Sequence, residues 1–321
     1  MSMLNEIWNE FERIFTTPFT YIFTDANKRV YYVYLISSII LAYYVYTRAK
    51  LNYSFFRYVF NKKIWLNKSA FIDYGFIFFN SLVKILLIFP LLNSWRYLGV
   101  HTNDFLEESF GLATIQFSTG SILLVYTFTL MLAKDFIFYL VHLALHKIPF
   151  LWEFHKIHHS AVTLNPVTQY RIHPVELFIN NASYVFISAI TTGVFDYFSR
   201  DQISPVLYLG ANVFSFAFLL WGANLRHSHV KLKYFSFIEK IFISPYQHQI
   251  HHSTNPKHFN KNMGARLAIW DTLFGTLVKS KETNYLKFGL GKDENAKYAS
   301  FWQNLSRPFV NIFRMFSKRF K

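Results

Sequence analysis

The 321-residue chain has no cysteine. That excludes disulfides, thiolate metal sites, iron–sulfur clusters and cysteine nucleophiles. Charge is scarce as well. Only 16% of residues are Asp, Glu, Lys or Arg, against about 25% in an ordinary soluble domain. Acids are the scarcer sign, 18 against 33 Lys and Arg, which leaves a formal net charge of +15. With 52% hydrophobic residues, this composition reads as an integral membrane protein. Its excess basic residues belong in cytoplasmic loops, against anionic headgroups. No nucleic-acid partner is expected, because no nucleic-acid motif occurs and the basic residues flank apolar stretches. No cleavable leader is expected either, since the N-terminus carries Glu6, Glu10 and Glu12 instead of a basic region.

What is abundant is long uncharged sequence. A crossing helix needs roughly 20 apolar residues. Residues 30–47, 109–133, 177–195 and 202–225 each lack charge, and the second of these places a span near 112–133. A further span near 71–92 tolerates Asp73, Asn80 and Lys84. The expected fold is therefore all-α, a membrane bundle of about four to five spanning helices with a cytoplasmic, helical, histidine-rich domain. Residues 48–68 carry six Lys or Arg and no acid, which assigns that loop to the cytoplasm. The expected organisation is an N-terminal membrane region over 1–110, a catalytic domain over 111–280 and a basic amphipathic tail over 281–321. Ile7, Trp8, Phe11, Ile14 and Phe15 suit a surface helix at the N-terminus. In the tail, Phe309, Ile312, Phe313, Phe316 and Phe320 recur at helical spacing among Arg307, Arg314, Lys318, Arg319 and Lys321. Such a helix lies on a membrane or packs on the catalytic domain.

Of 13 histidines, 12 fall in two windows, 142–173 and 227–258. The hairpin of the last two expected spans brings these windows together. His142 and His146 are one helical turn apart. His155, His158 and His159 sit at i, i+3 and i+4, and His248, His251 and His252 repeat that triplet. His227 and His229 follow the last expected span. Imidazole suits Fe, Zn, Cu or Ni. One ion takes three or four protein histidines, so these ten point to two metals. His173 is a further possible ligand. Asp135 and Asp271 are possible ligands or orienting groups, and Glu153 and Glu176 are other candidates to hold a ring's second nitrogen. His101 and His258 read as surface or packing residues.

The motifs "HLALH", "HKIHH", "RHSHV" and "HQIHH", closing with "WDTLFGT", resemble the fatty acid hydroxylase/sterol desaturase superfamily over roughly residues 115–280. "RIHPVE" is similar to a segment between the family's motifs. Leu143 and His229 stand where many relatives have Arg and Asn. The resemblance implies an integral membrane oxidoreductase with a His-coordinated diiron centre, O2 as co-substrate and a lipid as substrate. It implies hydroxylation of an unactivated C–H bond, with desaturation as the alternative on the same scaffold. It also implies a separate electron donor, of haem or ferredoxin/flavin type, because no such domain is fused here. Zinc could replace iron. A zinc-dependent hydrolase or a non-enzymatic metal-binding protein is the remaining alternative. A hydrolytic zinc site, however, usually has three protein ligands and one open position. The lipid is not named by these residues, and a bacterial inner membrane and an endoplasmic reticulum membrane fit equally.

Overall fold

The computed structural model describes residues 16, 20 and 23–317, except 28, 114–118, 200–203, 205, 206, 209 and 210. The expected N-terminal surface helix and the last basic turn of the tail lie outside the described residues. Helix α1 spans Tyr32–Ala49. Two short helices follow, before α2 (Lys68–Val83), whose first turn is capped by the Asn67 side chain. A π-helical turn over Lys84–Ile88 leads into α3, Phe89–Phe110. Next come α4 (Thr119–Lys147), α5 (Pro149–His159) and α6 (Pro174–Ser199). Helices α7 (Val213–Leu220), α8 (Pro245–His251), α9 (Ile269–Leu273) and α10 (Phe301–Ser317) complete the main set. The described strands are a two-residue ladder, Leu207–Tyr208 with Ala211–Asn212. The fold class is all-α.

Three described helices are long and apolar enough to cross a membrane: Lys68–Leu86, Gly120–Lys147 and Pro174–Ser199. The expected span at 30–47 forms α1, which is not among them. The span expected at 202–225 lies partly outside the described residues. Only Val213–Leu220 is α-helical in the described part of that stretch. Eight residues rise about 12 Å, against a hydrocarbon core of about 30 Å. Asn212 opens this helix by accepting from the Phe214 and Ser215 amides. Gly222, at a φ of 88°, closes the segment where a Cβ would press on Leu232.

The span expected near 112–133 is also redrawn. It runs on to Lys147 and carries His142 and His146 at its end. The charges of Lys134 and Asp135 do not stop it. Asp135 is fully buried and accepts hydrogen bonds from the Arg266 and Leu267 amides and from Trp270 Nε1, at 3.0, 3.1 and 3.0 Å. A carboxylate satisfied this way belongs inside a helix bundle. Asp73, in α2, is handled similarly. Arg171 Nε donates to it at 2.5 Å, with Thr168 and Asn165 as further donors.

Helix α6 packs against α3 and α4. Gly193 permits the α3 crossing, because a Cβ there would collide with the Gly99 carbonyl and the Thr102 side chain. Ile72, Phe76, Ile157 and Tyr298 form one buried cluster, joining α2, α5 and the segment before α10. Ala42, Tyr58, Leu225, Val230 and Leu232 form another, between α1 and the 3₁₀ turn Ala223–His227. Helix α10 packs on α5. It buries Asn304 and Pro308 and leaves Trp302, Phe313 and Phe316 exposed.

Candidate metal centre

Helix geometry determines where each histidine points. At 3.6 residues per turn, positions i and i+4 diverge by about 40°, while i+3 falls on the opposite side of i by about 60°. Each triplet therefore splits. His155 and His159 join His142, His146 and His251 in one group of five. His158 joins His227, His248 and His252 in a second group of four. Within each group the nearest ring nitrogens lie within 4.8 Å of one another. Helix α5 gives two histidines to the first group and one to the second. The 248–252 stretch does the reverse.

The second ring nitrogens are held from behind. His142 Nδ1 donates to the Met263 carbonyl at 2.7 Å, and His251 Nδ1 to the Lys261 carbonyl at 2.9 Å. His158 Nδ1 donates to the Arg171 carbonyl at 3.3 Å. His155 Nδ1 donates to Glu176 Oε1 at 2.9 Å. A carbonyl or carboxylate partner requires the proton on Nδ1, so in these four rings Nε2 presents a lone pair.

Those lone pairs converge. His227 Nε2 stands 3.1 Å from His158 Nε2, 3.1 Å from His252 Nε2 and 3.0 Å from His248 Nε2. His142 Nε2 and His155 Nε2 are 3.2 Å apart. One proton on His227 can bridge only one of three neighbours. Donors about 2.1 Å from a shared ion are roughly 3.0–3.4 Å from each other, which matches these separations. In the first group, Nε2 of His146, His159 and His251 is buried without a hydrogen-bond partner. Orphaned buried acceptors of this kind are costly, and a bound metal ion would satisfy them. Burial also keeps the rings neutral, which metal ligation requires. It lowers His155 and His158 to about 3. It likewise lowers His159, His227, His248, His251 and His252, with neighbouring imidazoles adding to the effect.

The remaining sequence candidates lie elsewhere. His229 is in neither group. Its ring stands edge-on to Tyr58, with centroids 4.7 Å apart. His173 donates through Nε2 to the Leu305 carbonyl at 3.1 Å and accepts the Val175 amide at Nδ1. It therefore ties the start of α6 to α10. Neither Asp135 nor Asp271 touches a histidine. Asp271 accepts the Met263 and Gly264 amides at 2.8 Å each and the Thr276 hydroxyl at 2.6 Å. Together the two aspartates pin residues 263–267, whose Met263 carbonyl orients His142. Glu153 serves packing, accepting from Lys156 at 2.5 Å and Asn311 at 2.7 Å. The groups that sequence reasoning missed are the carbonyls of Met263, Lys261 and Arg171. Backbone oxygens carry no residue-type signal.

Residues 127–276 match the family model described as fatty acid hydroxylase. The chain is 28% identical over 188 residues to an alkylglycerol monooxygenase of Caenorhabditis elegans, covering 59% of this chain and 34% of that protein. It is 29% identical over 176 residues to an ornithine lipid hydroxylase of Rhizobium tropici, covering 54% and 47%. It is 25% identical over 163 residues to a very-long-chain aldehyde decarbonylase of Arabidopsis thaliana, covering 48% and 23%. The chain thus spans from about a quarter to about half the length of these relatives. No solved structure matches it. The segment that matches the fatty acid hydroxylase family model holds all nine clustered histidines and both aspartates that brace them.

Proposed function

We propose that the protein is an O2-dependent membrane lipid hydroxylase that works through two His-coordinated iron ions. The observation that carries this reading is the pair of histidine groups, five and four, whose inward nitrogens converge, three of them buried without a hydrogen-bond partner. His142, His146, His155, His159 and His251 would hold one ion, and His158, His227, His248 and His252 the other. Bound iron supplies reduction of O2 to an oxidant able to take a hydrogen atom from an unactivated C–H bond. The overall change inserts one oxygen atom into that bond and releases the other as water, with two electrons and two protons from a separate donor.

The chain's own residues position and shield. Glu176 and the Met263, Lys261 and Arg171 carbonyls fix ring orientation, which raises ligand basicity. Burial of the rings keeps them in the neutral form that binds metal. The two relatives with hydroxylase or monooxygenase names support insertion of oxygen over desaturation. A zinc hydrolase would need fewer ligands than the nine gathered here. The chain is read as multi-pass. Its histidines are placed on the cytoplasmic side by the basic 48–68 loop, through the positive-inside rule.

Metal analysis and Mössbauer spectroscopy on protein purified anaerobically from iron-replete cells test the proposal. Two coupled irons per chain are expected. Stoichiometric zinc without iron would turn the reading toward a hydrolase or a structural metal site. Lipid profiling of a deletion strain then separates an alcohol product from an alkene.

A further inference from the structure

A cavity of about 250 Å³ lies against both histidine groups. His142 and His155 line it from the first group, and His158, His227 and His248 from the second. Phe138, Leu145 and Ile172 supply apolar wall. Two guanidinium groups, Arg29 and Arg226, also line it.

Arg226 is 1% exposed. Its Nε has no hydrogen-bond partner. Its hydrogen-bond contact in the structure is a 3.5 Å approach of one terminal nitrogen to the Ile243 carbonyl, and the Phe218 ring lies 5.0 Å away. Among the described residues no carboxylate lies within ion-pair distance of Arg226 or Arg29. Glu176 also lines the cavity; its Oε1 accepts from His155, its Oε2 has no partner, and it forms no ion pair with either guanidinium. Asp135 accepts from the 266–267 backbone and lies 3.5 Å from Arg266. A buried cation without a counter-ion costs several kcal/mol, and a guanidinium is shaped to recognise an oxyanion.

We propose that this cavity receives the polar end of a lipid bearing an oxyanion, carboxylate or phosphate, with Arg226 as its principal partner and Arg29 as its second. This rests on the hydroxylase reading and narrows it to an anionic lipid substrate. The volume suits a headgroup fragment and not a whole lipid. Because Arg226 immediately precedes His227, the anion is held beside the metal centre. The oxidised carbon then lies within a few bonds of the charged group, not far down the tail.

Isothermal titration of metal-loaded protein in uncharged detergent tests this, using dodecyl phosphate, laurate, dodecanol and inorganic phosphate as probes. One or both anionic amphiphiles should bind at least tenfold more tightly than dodecanol. Arg226→Gln should abolish that preference without changing dodecanol affinity, and Arg226→Lys should retain part of it. Equal affinities for all three amphiphiles, or a preference unchanged in a metal-replete Arg226→Gln, would overturn the proposal. Inorganic phosphate binding as tightly as dodecyl phosphate would also overturn it, in favour of a free-anion site. If Arg226→Gln fails to load metal, Arg29→Gln decides: a reduced preference supports the proposal and an unchanged one rejects it. Binding is measured without turnover. Metal stoichiometry and oxygen consumption therefore test the hydroxylase reading separately.

Discussion

Single side chains set the chemistry of this centre. His251→Ala, in the five-histidine group, and His158→Ala, in the four-histidine group, should each lower metal content. Each should abolish lipid oxidation with membrane insertion intact. Metal analysis of membrane-extracted protein checks this, and full activity in either variant would reject the ligand assignment. Glu176→Gln keeps an acceptor for His155 but removes the charge. It should weaken metal retention by about 10- to 100-fold, as read by competition with a chelator. Burial lowers the imidazoles outside the spanning helices, so the folded protein prefers them neutral. Stripped of metal, the protein should be most stable above pH about 6.5. It should lose stability as pH falls below that value, because the unfolded chain then binds protons that the folded one does not. Thermal unfolding of the metal-free protein across pH 5–8 measures this.

At the level of elements, the outcome depends on how local each signal is. The i, i+3, i+4 histidine spacing is written in neighbouring residues, so the histidines that cluster could be read directly. Their division between two groups follows from the same helical angle. The 202–225 stretch was harder. A run of apolar residues looks the same whether it crosses a bilayer or folds back, and only Asn212 and Gly222 mark the short helix. His229 has the sequence appearance of a ligand, yet chain direction after the 3₁₀ turn aims it at Tyr58. Asp73 looked like a blemish in a span because its partner, Arg171, lies 98 residues away. That ion pair joins α2 to the loop whose Arg171 carbonyl orients His158. Asp73→Ala should cost about 3–5 kcal/mol of stability, the usual penalty for leaving a buried partner uncompensated. Denaturation in detergent checks the value.

For the whole molecule, the proposed sidedness rests on charge. A tag placed within 48–68 should be reachable only from the cytoplasm, and labelling from outside would reverse the orientation. The division of each histidine triplet has a last consequence. Helix α5 and the 248–252 stretch each reach into both groups, so neither ion can seat without fixing the two backbones that frame the other. Filling should therefore be cooperative. As metal is added to stripped protein, native mass spectrometry should find empty and doubly loaded chains together, with few carrying a single ion. Two independent sites would instead pass through a large singly loaded population.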